Sequence, residues 1–287
     1  MIVDRITMVV TDRDAVAKCW QDLLLAEMVG ERRSALLGGD ATMLAFGSSL
    51  LELVQPDGDG AAAESLSRAG GRSHLFAAGI AVSDLMALRA NLLAHEIAYE
   101  VDDGQLLLFP DAVGIDGLHL TVNGMQARPK VGLVDYLYEA TLLTDQVDQV
   151  CDQVKTVLNN NGDAFVPIQS DKFGYAGQLT LFRPGHLHRI EVIHPGKPGT
   201  TMQRFHQKFG QSLYMAFCES GDILEIERRA LDMGAGVTVD RPADRADDQM
   251  PDQLWLHPAA LGGMMLGVSR PTRAWNWSGA PDRVQPV

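Results

Sequence analysis

Two glutamates sit in matching settings. Glu52 lies in LLELVQPDGDG (residues 50–60) and Glu191 in RIEVIHPGKPG (residues 189–199). Each setting is a short β-rich run, then a proline, then a glycine-rich turn, and the two lie about half the chain apart. Burial among apolar side chains makes a carboxylate costly to ionise, so its pKa rises and it becomes a general acid or base. Arg189 precedes Glu191 by two residues, which puts both on one face of a strand. Its planar guanidinium suits a substrate carboxylate. His186 and His188 form a His-x-His pair just upstream. Together with Glu191 they offer donors for a divalent metal; the plainer alternative is two solvent-exposed turn histidines.

The 287 residues suffice for two domains with real cores. A net charge of −13 repels phosphate backbones and anionic membrane surfaces, so neither nucleic acid nor membrane is an expected partner. The three cysteines, Cys19, Cys151 and Cys218, are widely spaced and form no CxxC, which argues against a disulfide framework or a thiolate zinc site. The opening MIVDRITMVV reads as a strand, not a secretory signal, and no apolar run is long enough to span a bilayer. The expected location is the cytoplasm.

Positioning these residues requires repeated elements. Four apolar runs end in Asp: ITMVVTD (6–12), AGIAVSD (78–84), ATLLTD (140–145) and AFCESGD (216–222). Asp at such a place caps a helix by accepting an orphan backbone N–H. Helical stretches follow at 13–26, 84–96, 146–159 and 221–233, the third with an apolar stripe of Val147, Val150, Val154 and Leu158. Three short strands follow each helix. The order is strand, helix, three strands, four times over. The closing strands centre near Glu52, Thr121, Glu191 and Gly267. The fold class expected is α+β: four βαβββ modules paired into two cupped-sheet, open-barrel domains. The first domain spans 1–124, with modules 1–60 and 72–124. A linker covers 125–131. The second domain spans 132–271, with modules 132–199 and 208–271, and a tail covers 272–287. The acidic run at 241–252 reads as a solvated loop.

The opening VDRITMVVTDRDAVAKCWQDLLL and the strand LELVQP resemble a module of the vicinal oxygen chelate superfamily, which includes glyoxalases, bleomycin-resistance proteins and extradiol dioxygenases. The resemblance covers roughly residues 1–270. It implies that paired modules curl a sheet around a cavity. It also implies a divalent metal there, held by an early first-strand residue, usually His, and a last-strand residue, usually Glu. Counting seven residues back from each capping Asp, the first-strand positions hold Arg5, Ala77, Tyr138 and Met215 (or its neighbour Tyr214). The last-strand positions hold Glu52, Thr121, Glu191 and Gly267. Only the glutamates match, and a fixed positive charge at Arg5 repels a cation. No cofactor is therefore expected, with an unconventional metal site at His186, His188 and Glu191, or at His194, His206 or His257, as the alternative.

Strand alternation then places Arg5, Thr7, Glu52, His119 and Thr121 in the first cavity. It places Tyr138, Ala140, Arg189, Glu191, Met215, Phe217 and Glu219 in the second. Arg5 and Glu52 either bind an anionic group where a metal once sat or form a structural salt bridge. Tyr138 hydrogen-bonding Glu191, with Arg189 beside them, is either a catalytic set or a satisfied core pair. Arg5, Glu52, His119, Met215 and Phe217 are the expected substrate contacts. Trp275 and Trp277 either cap a pocket or pack on their own domain. The reading that follows is a lyase- or isomerase-type enzyme for a small aromatic or carboxylated metabolite. A non-catalytic sequestration protein is the first alternative, and a metal-dependent dioxygenase or glyoxalase the second. Related folds often pair, so a homodimer is compatible with the sequence.

Overall fold

A computed structural model describes residues 1–287. The first module comprises β1 (Ile2–Val9), α1 (Arg13–Leu24), β2 (Glu27–Ser34), β3 (Gly39–Phe46) and β4 (Ser49–Pro56). Helix α2 (Ala61–Arg68) leads to the second: β5 (His74–Val82), α3 (Leu85–Ala94), β6 (Glu100–Asp102), β7 (Gln105–Leu108), α4 (Pro110–Val113) and β8 (His119–Gly124). The third contains β9 (Tyr136–Leu143), α5 (Val147–Leu158), β10 (Val166–Ser170), β11 (Tyr175–Leu181) and β12 (Arg189–His194). Helix α6 (Thr201–Phe209) leads to the fourth: β13 (Ser212–Glu219), α7 (Ile223–Asp232), β14 (Val237–Asp240), β15 (Gln253–Leu256) and β16 (Met265–Ser269). The repeat of strand, helix and three strands thus occurs four times. Helices α2, α4 and α6 are additions to the expected pattern.

Two curled eight-stranded sheets result. One runs β2-β3-β4-β1-β5-β8-β7-β6, the other β10-β11-β12-β9-β13-β16-β15-β14. Each module's first and last strands lie side by side and parallel, and the residue opposite each last-strand position lies two or three places beyond the expected first-strand one: Thr7 opposite Glu52, Gly79 opposite Thr121, Thr141 opposite Glu191 and Phe217 opposite Gly267. No helix is long and apolar enough to cross a membrane.

The helix caps explain one displacement from the expected register. Asp12 and Asp84 cap α1 and α3, their carboxylates accepting the backbone N–H of Ala15 at 2.9 Å and Ala87 at 2.8 Å. Helix α5 starts one residue later than the Asp count implies. Gln146 takes the cap position, and its N–H is accepted by Thr144 Oγ1 at 2.9 Å. Counting back from Asp145 therefore lands one residue early on β9. The first-strand position in module three belongs to Glu139, not Tyr138.

Contacts divide the chain into two compact units. One holds Met1–Val3, Ala77–Gln126 and Glu139–Tyr214; the other holds Asp4–Phe76, Ala127–Tyr138 and Met215–Val287. In the first, Asn91 Nδ2 on α3 donates to Thr156 O on α5 at 2.8 Å, and Gln211 Nε2 donates to Asp116 O at 2.9 Å. In the second, Trp20 Nε1 on α1 donates to Leu261 O at 3.1 Å, and Arg229 Nε on α7 donates to Leu23 O at 3.3 Å. The run at 241–252 is not simply solvated. Asp252 is buried and accepts from Arg245 at 2.9 Å and Arg270 at 2.8 Å. Burial alone would raise its pKa, but these guanidiniums prevail and hold it below the usual carboxylate value. The tail packs on itself, with Arg283 over the Trp275 ring at 4.4 Å.

Candidate functional site

The unit containing modules two and three carries a compact acid group. Strands β9 and β12 are parallel, with Glu139 opposite Arg189 and Thr141 opposite Glu191, so all four side chains share one face. Arg189 Nε donates to Glu139 Oε2 at 2.6 Å, and Arg189 Nη1 donates to Leu187 O at 3.0 Å. Thr141 Oγ1 lies 2.8 Å from Glu191 Oε2 and 3.3 Å from Glu139 Oε1. Arg189 is 0% exposed, Glu139 1% and Glu191 5%. Burial and the Glu139 carboxylate push the Glu191 carboxyl well above its usual range, against the opposing pull of Thr141 and Arg189.

Tyr175 stands on the Glu191 side of β11, because Leu179 is the residue opposite Glu191 and odd-numbered residues there face the same way. Burial, then the charges of Glu191 and Glu139, raise its phenol pKa. Tyr175 also lines an outward-opening depression of about 410 Å³ with Ser170, Asp171 and Lys197.

This geometry changes the roles expected for Tyr138 and Arg189. Tyr138 is the strand neighbour of Glu139, so it points to the opposite face from Glu139, Thr141 and Glu191. Its hydroxyl meets Ser269 Oγ at 3.2 Å, and its ring stacks on Phe217 at 6.1 Å. The guanidinium of Arg189 pairs with a carboxylate of its own chain. The expectation of a Tyr138–Glu191 pair is therefore replaced by Thr141 and Glu139 at Glu191.

In the unit containing modules one and four, Glu52 is fully buried. Arg32 Nε donates to its Oε1 at 2.8 Å, and Thr7 Oγ1 donates to its Oε2 at 3.1 Å. Arg5 Nε lies 3.7 Å from Asp4 Oδ1, and Asp4 also accepts from Arg128 Nη1 at 2.8 Å. Burial lowers the Arg5 pKa, while Asp4 and then Glu52 oppose the shift. In module four, Met215 and Phe217 are buried. A Cβ on Gly267 would lie 2.1 Å from the Phe217 ring, so this ring fills the space a last-strand carboxylate would need. Phe217 also meets Trp255 edge-on at 6.3 Å.

The histidines occupy several different surroundings. His119 is half-buried and meets Phe109 edge-on at 6.0 Å. His188 is half-buried, and its Nδ1 accepts the Val3 N–H at 3.3 Å. Burial, then His186 and the N-terminal charge, lower its pKa to about 3. His186 Nδ1 lies 3.4 Å from Arg183 Nη2. His194 and His206 both approach Asp145 Oδ1, at 3.0 and 3.1 Å. They line a polar pocket of about 890 Å³. His257 pairs with Thr238 at 2.8 Å. No group of three or more His, Cys, Asp or Glu side chains is arranged to hold a metal ion.

No protein-family model matches the chain, and no curated protein matches its sequence. Solved structures do resemble it. A mutant of 4-hydroxymandelate synthase from Streptomyces coelicolor aligns over 99% of this chain and 98% of its own, with a TM-score of 0.65 and 12% identity. The Mn(II)-bound glyoxalase from Novosphingobium aromaticivorans aligns over 94% of this chain and 82% of its own, with a TM-score of 0.56 and 14% identity. At such identities the likeness is one of fold.

Proposed function

From the premise that this chain has the vicinal oxygen chelate fold, we propose that it is an enzyme transferring a proton on a small carboxylated or aromatic metabolite, of the isomerase or lyase type. Glu191 is the acid or base. The observation that carries this reading is the buried carboxyl pair of Glu139 and Glu191, joined by Thr141 and balanced by the one guanidinium of Arg189. Perturbed carboxyl groups of this kind are suited to accept or release a proton near neutral pH.

The reading needs no resident metal. The two glutamates that match the superfamily's ligand pattern do not fit a cation as they stand. Glu52 is taken by Arg32, and Glu191 shares its site with a second carboxyl group already paired to Arg189. The other landmark positions, Thr121 and Gly267, supply no carboxylate.

The assay is solvent deuterium incorporation into a panel of arylacetates, 2-hydroxy acids and 2-oxo acids. The wild-type protein is expected to label at least one panel member at the carbon next to its carboxyl group or, in a 2-oxo acid, next to its keto group. Glu191→Gln should lose labelling about 100-fold or more, the scale of a general acid or base. Retained binding of that compound by the variant, measured by calorimetry, would show that the change is in chemistry. If no panel member is labelled, yet one binds wild type and Glu191→Gln equally, the protein is a sequestration protein and the enzymatic reading falls.

A further inference from the structure

We propose that the cleft between α4, α5 and α6 is a second binding site of this chain, independent of the Glu191 group, and that it takes a small neutral molecule rich in hydroxyl groups, a sugar or polyol.

The cleft has a volume of about 890 Å³. That lies within the span of small-molecule sites, about 300–1,000 Å³, but such sites are mostly apolar and this one is not. Helix α6 shows the difference. Its apolar side is packed, with Phe205 against Phe209 at 4.7 Å and Tyr214 at 5.0 Å. Its cleft side carries Gln203, His206 and Gln207, at the spacing of one helix face, with Gln211 just beyond the helix end. The charged residues of α6 are occupied elsewhere: Arg204 Nη2 donates to Thr201 Oγ1 at 3.2 Å, and Lys208 Nζ lies over the Phe209 ring at 5.4 Å. Helix α5 adds Gln149 from its first turn and Gln146 from its cap. Helix α2 links modules one and two as α6 links three and four, yet it reads AAAESLSR, without an amide or imidazole. The fold therefore does not require this set.

The walls are fixed by their own hydrogen bonds. His194 Nδ1 and His206 Nε2 lie 3.0 and 3.1 Å from Asp145 Oδ1, and His206 Nδ1 lies 3.1 Å from Gly210 O. Gln211 Nε2 donates to Asp116 O at 2.9 Å, while its Oε1 accepts from Thr144 Oγ1. Walls ordered in advance lose less freedom when a ligand arrives. The side-chain amides of Gln146, Gln149 and Gln207 have no hydrogen bond within the chain. Both imidazoles meet Oδ1 of Asp145, which leaves Oδ2 for a further donor.

This mixture of groups selects the ligand. Each amide offers N–H donors and a carbonyl acceptor, whereas Asp111, Asp116 and Asp145 offer acceptors alone. A hydroxyl group both donates and accepts, so neighbouring hydroxyls satisfy both kinds. No lysine or arginine lines the cleft, and a phosphate or carboxylate would face three carboxylates without a fixed cation. An ammonium ligand would use the carboxylates and leave the amide N–H groups unpaired.

The test follows the imidazole signals of His194 and His206 by NMR in the intact chain, assigned by His194→Gln and His206→Gln. The probes are ribose, glucose, myo-inositol and maltotriose, with spermidine as the cationic control. At least one polyol should move both signals with a Kd of about 1 mM or tighter, leave His95 in place, and bind equally at low and high salt because it is uncharged. Maltotriose alone would assign the site to a glycan chain, and the smaller probes to a free sugar or polyol; either result supports the proposal. Gln149→Ala and Gln207→Ala change exposed side chains and should each weaken binding about 10-fold, the scale of a lost hydrogen bond, without altering thermal unfolding. No movement of either signal by any polyol at about 10 mM overturns the proposal. So does binding that neither glutamine variant weakens, or a response to spermidine alone that fades with salt. Labelling at the Glu191 site bears on none of these outcomes, so the two readings stand or fall separately.

Discussion

Replacing Glu191 with Gln should change how stability depends on pH more than it changes stability itself. The carboxyl of Glu191 is raised well above its ordinary value, first by burial and then by Glu139. Folded protein thus keeps a proton that unfolded chain has released. Linkage fixes the sign: stability from this group is fully present below the unfolded pKa and is lost as pH rises toward the folded one. In that window the loss is about 1.4 kcal/mol per pH unit. Gln has nearly the same shape, keeps an acceptor for Thr141, and carries no ionisable proton. Urea unfolding of wild type and variant from about pH 5 upward should give stability curves that converge or cross, the variant gaining about 1.4 kcal/mol per unit relative to wild type. The raised pKa of Glu219 is common to both proteins and cancels. Parallel curves, with a difference that does not vary with pH, would refute the reasoning, because Glu191 would then hold the same proton folded and unfolded.

Other outcomes follow from the same geometry. Arg32→Met strands the buried Glu52 charge and should cost about 3–5 kcal/mol in denaturant unfolding, while Arg32→Met with Glu52→Met should recover much of it. Gly267→Ala drives a methyl group into the Phe217 ring and should cost about 1–3 kcal/mol, with Phe217→Leu restoring part of the loss. His188, lowered to about 3, should show no imidazole titration by NMR near its ordinary value of about 6.5. Its stabilising contribution is present above that ordinary value and lost as pH falls toward 3, the opposite direction to Glu191, so His188→Gln should flatten the acid limb of the stability curve.

Much of the fold was legible because period and punctuation agreed. Asp12 and Asp84 both mark where an apolar strand stops and a helix begins, and their carboxylates do cap α1 and α3. The recurrence of Glu52 and Glu191 on closing strands reflects a real structural repeat, since each lies opposite a threonine of its module's first strand. The third module misled the count because Asp145 sits before the cap, with Gln146 in its place. A one-residue slip on a strand exchanges its faces, so Tyr138 was read where Glu139 belongs. The paired threonines, Thr7 in ITMVVTD and Thr141 in ATLLTD, were the signal that could have corrected the register.

Arg32 escaped the sequence reading for a different reason. It lies in the charged run GERR of β2, which resembles an exposed edge strand. Arg33 does face outward to Asp40 and Asp57, but Arg32 points the other way, and its length carries it to Glu52. Helix α6 was missed because it lies outside the strand, helix, three-strand repeat, although Thr200 caps it and Met202, Phe205 and Phe209 fall at helical spacing. Tyr175 was invisible because its relation to Glu191 depends on the β11 register, which turn residues alone do not set.

The most direct measurement is a carbon-13 NMR titration of the Glu191 carboxyl, assigned by its absence in Glu191→Gln. A midpoint far to the alkaline side of free glutamate, shifting back when Glu139 becomes Gln, is the predicted result. A midpoint among ordinary surface carboxylates would contradict the account, whatever the catalytic assays found.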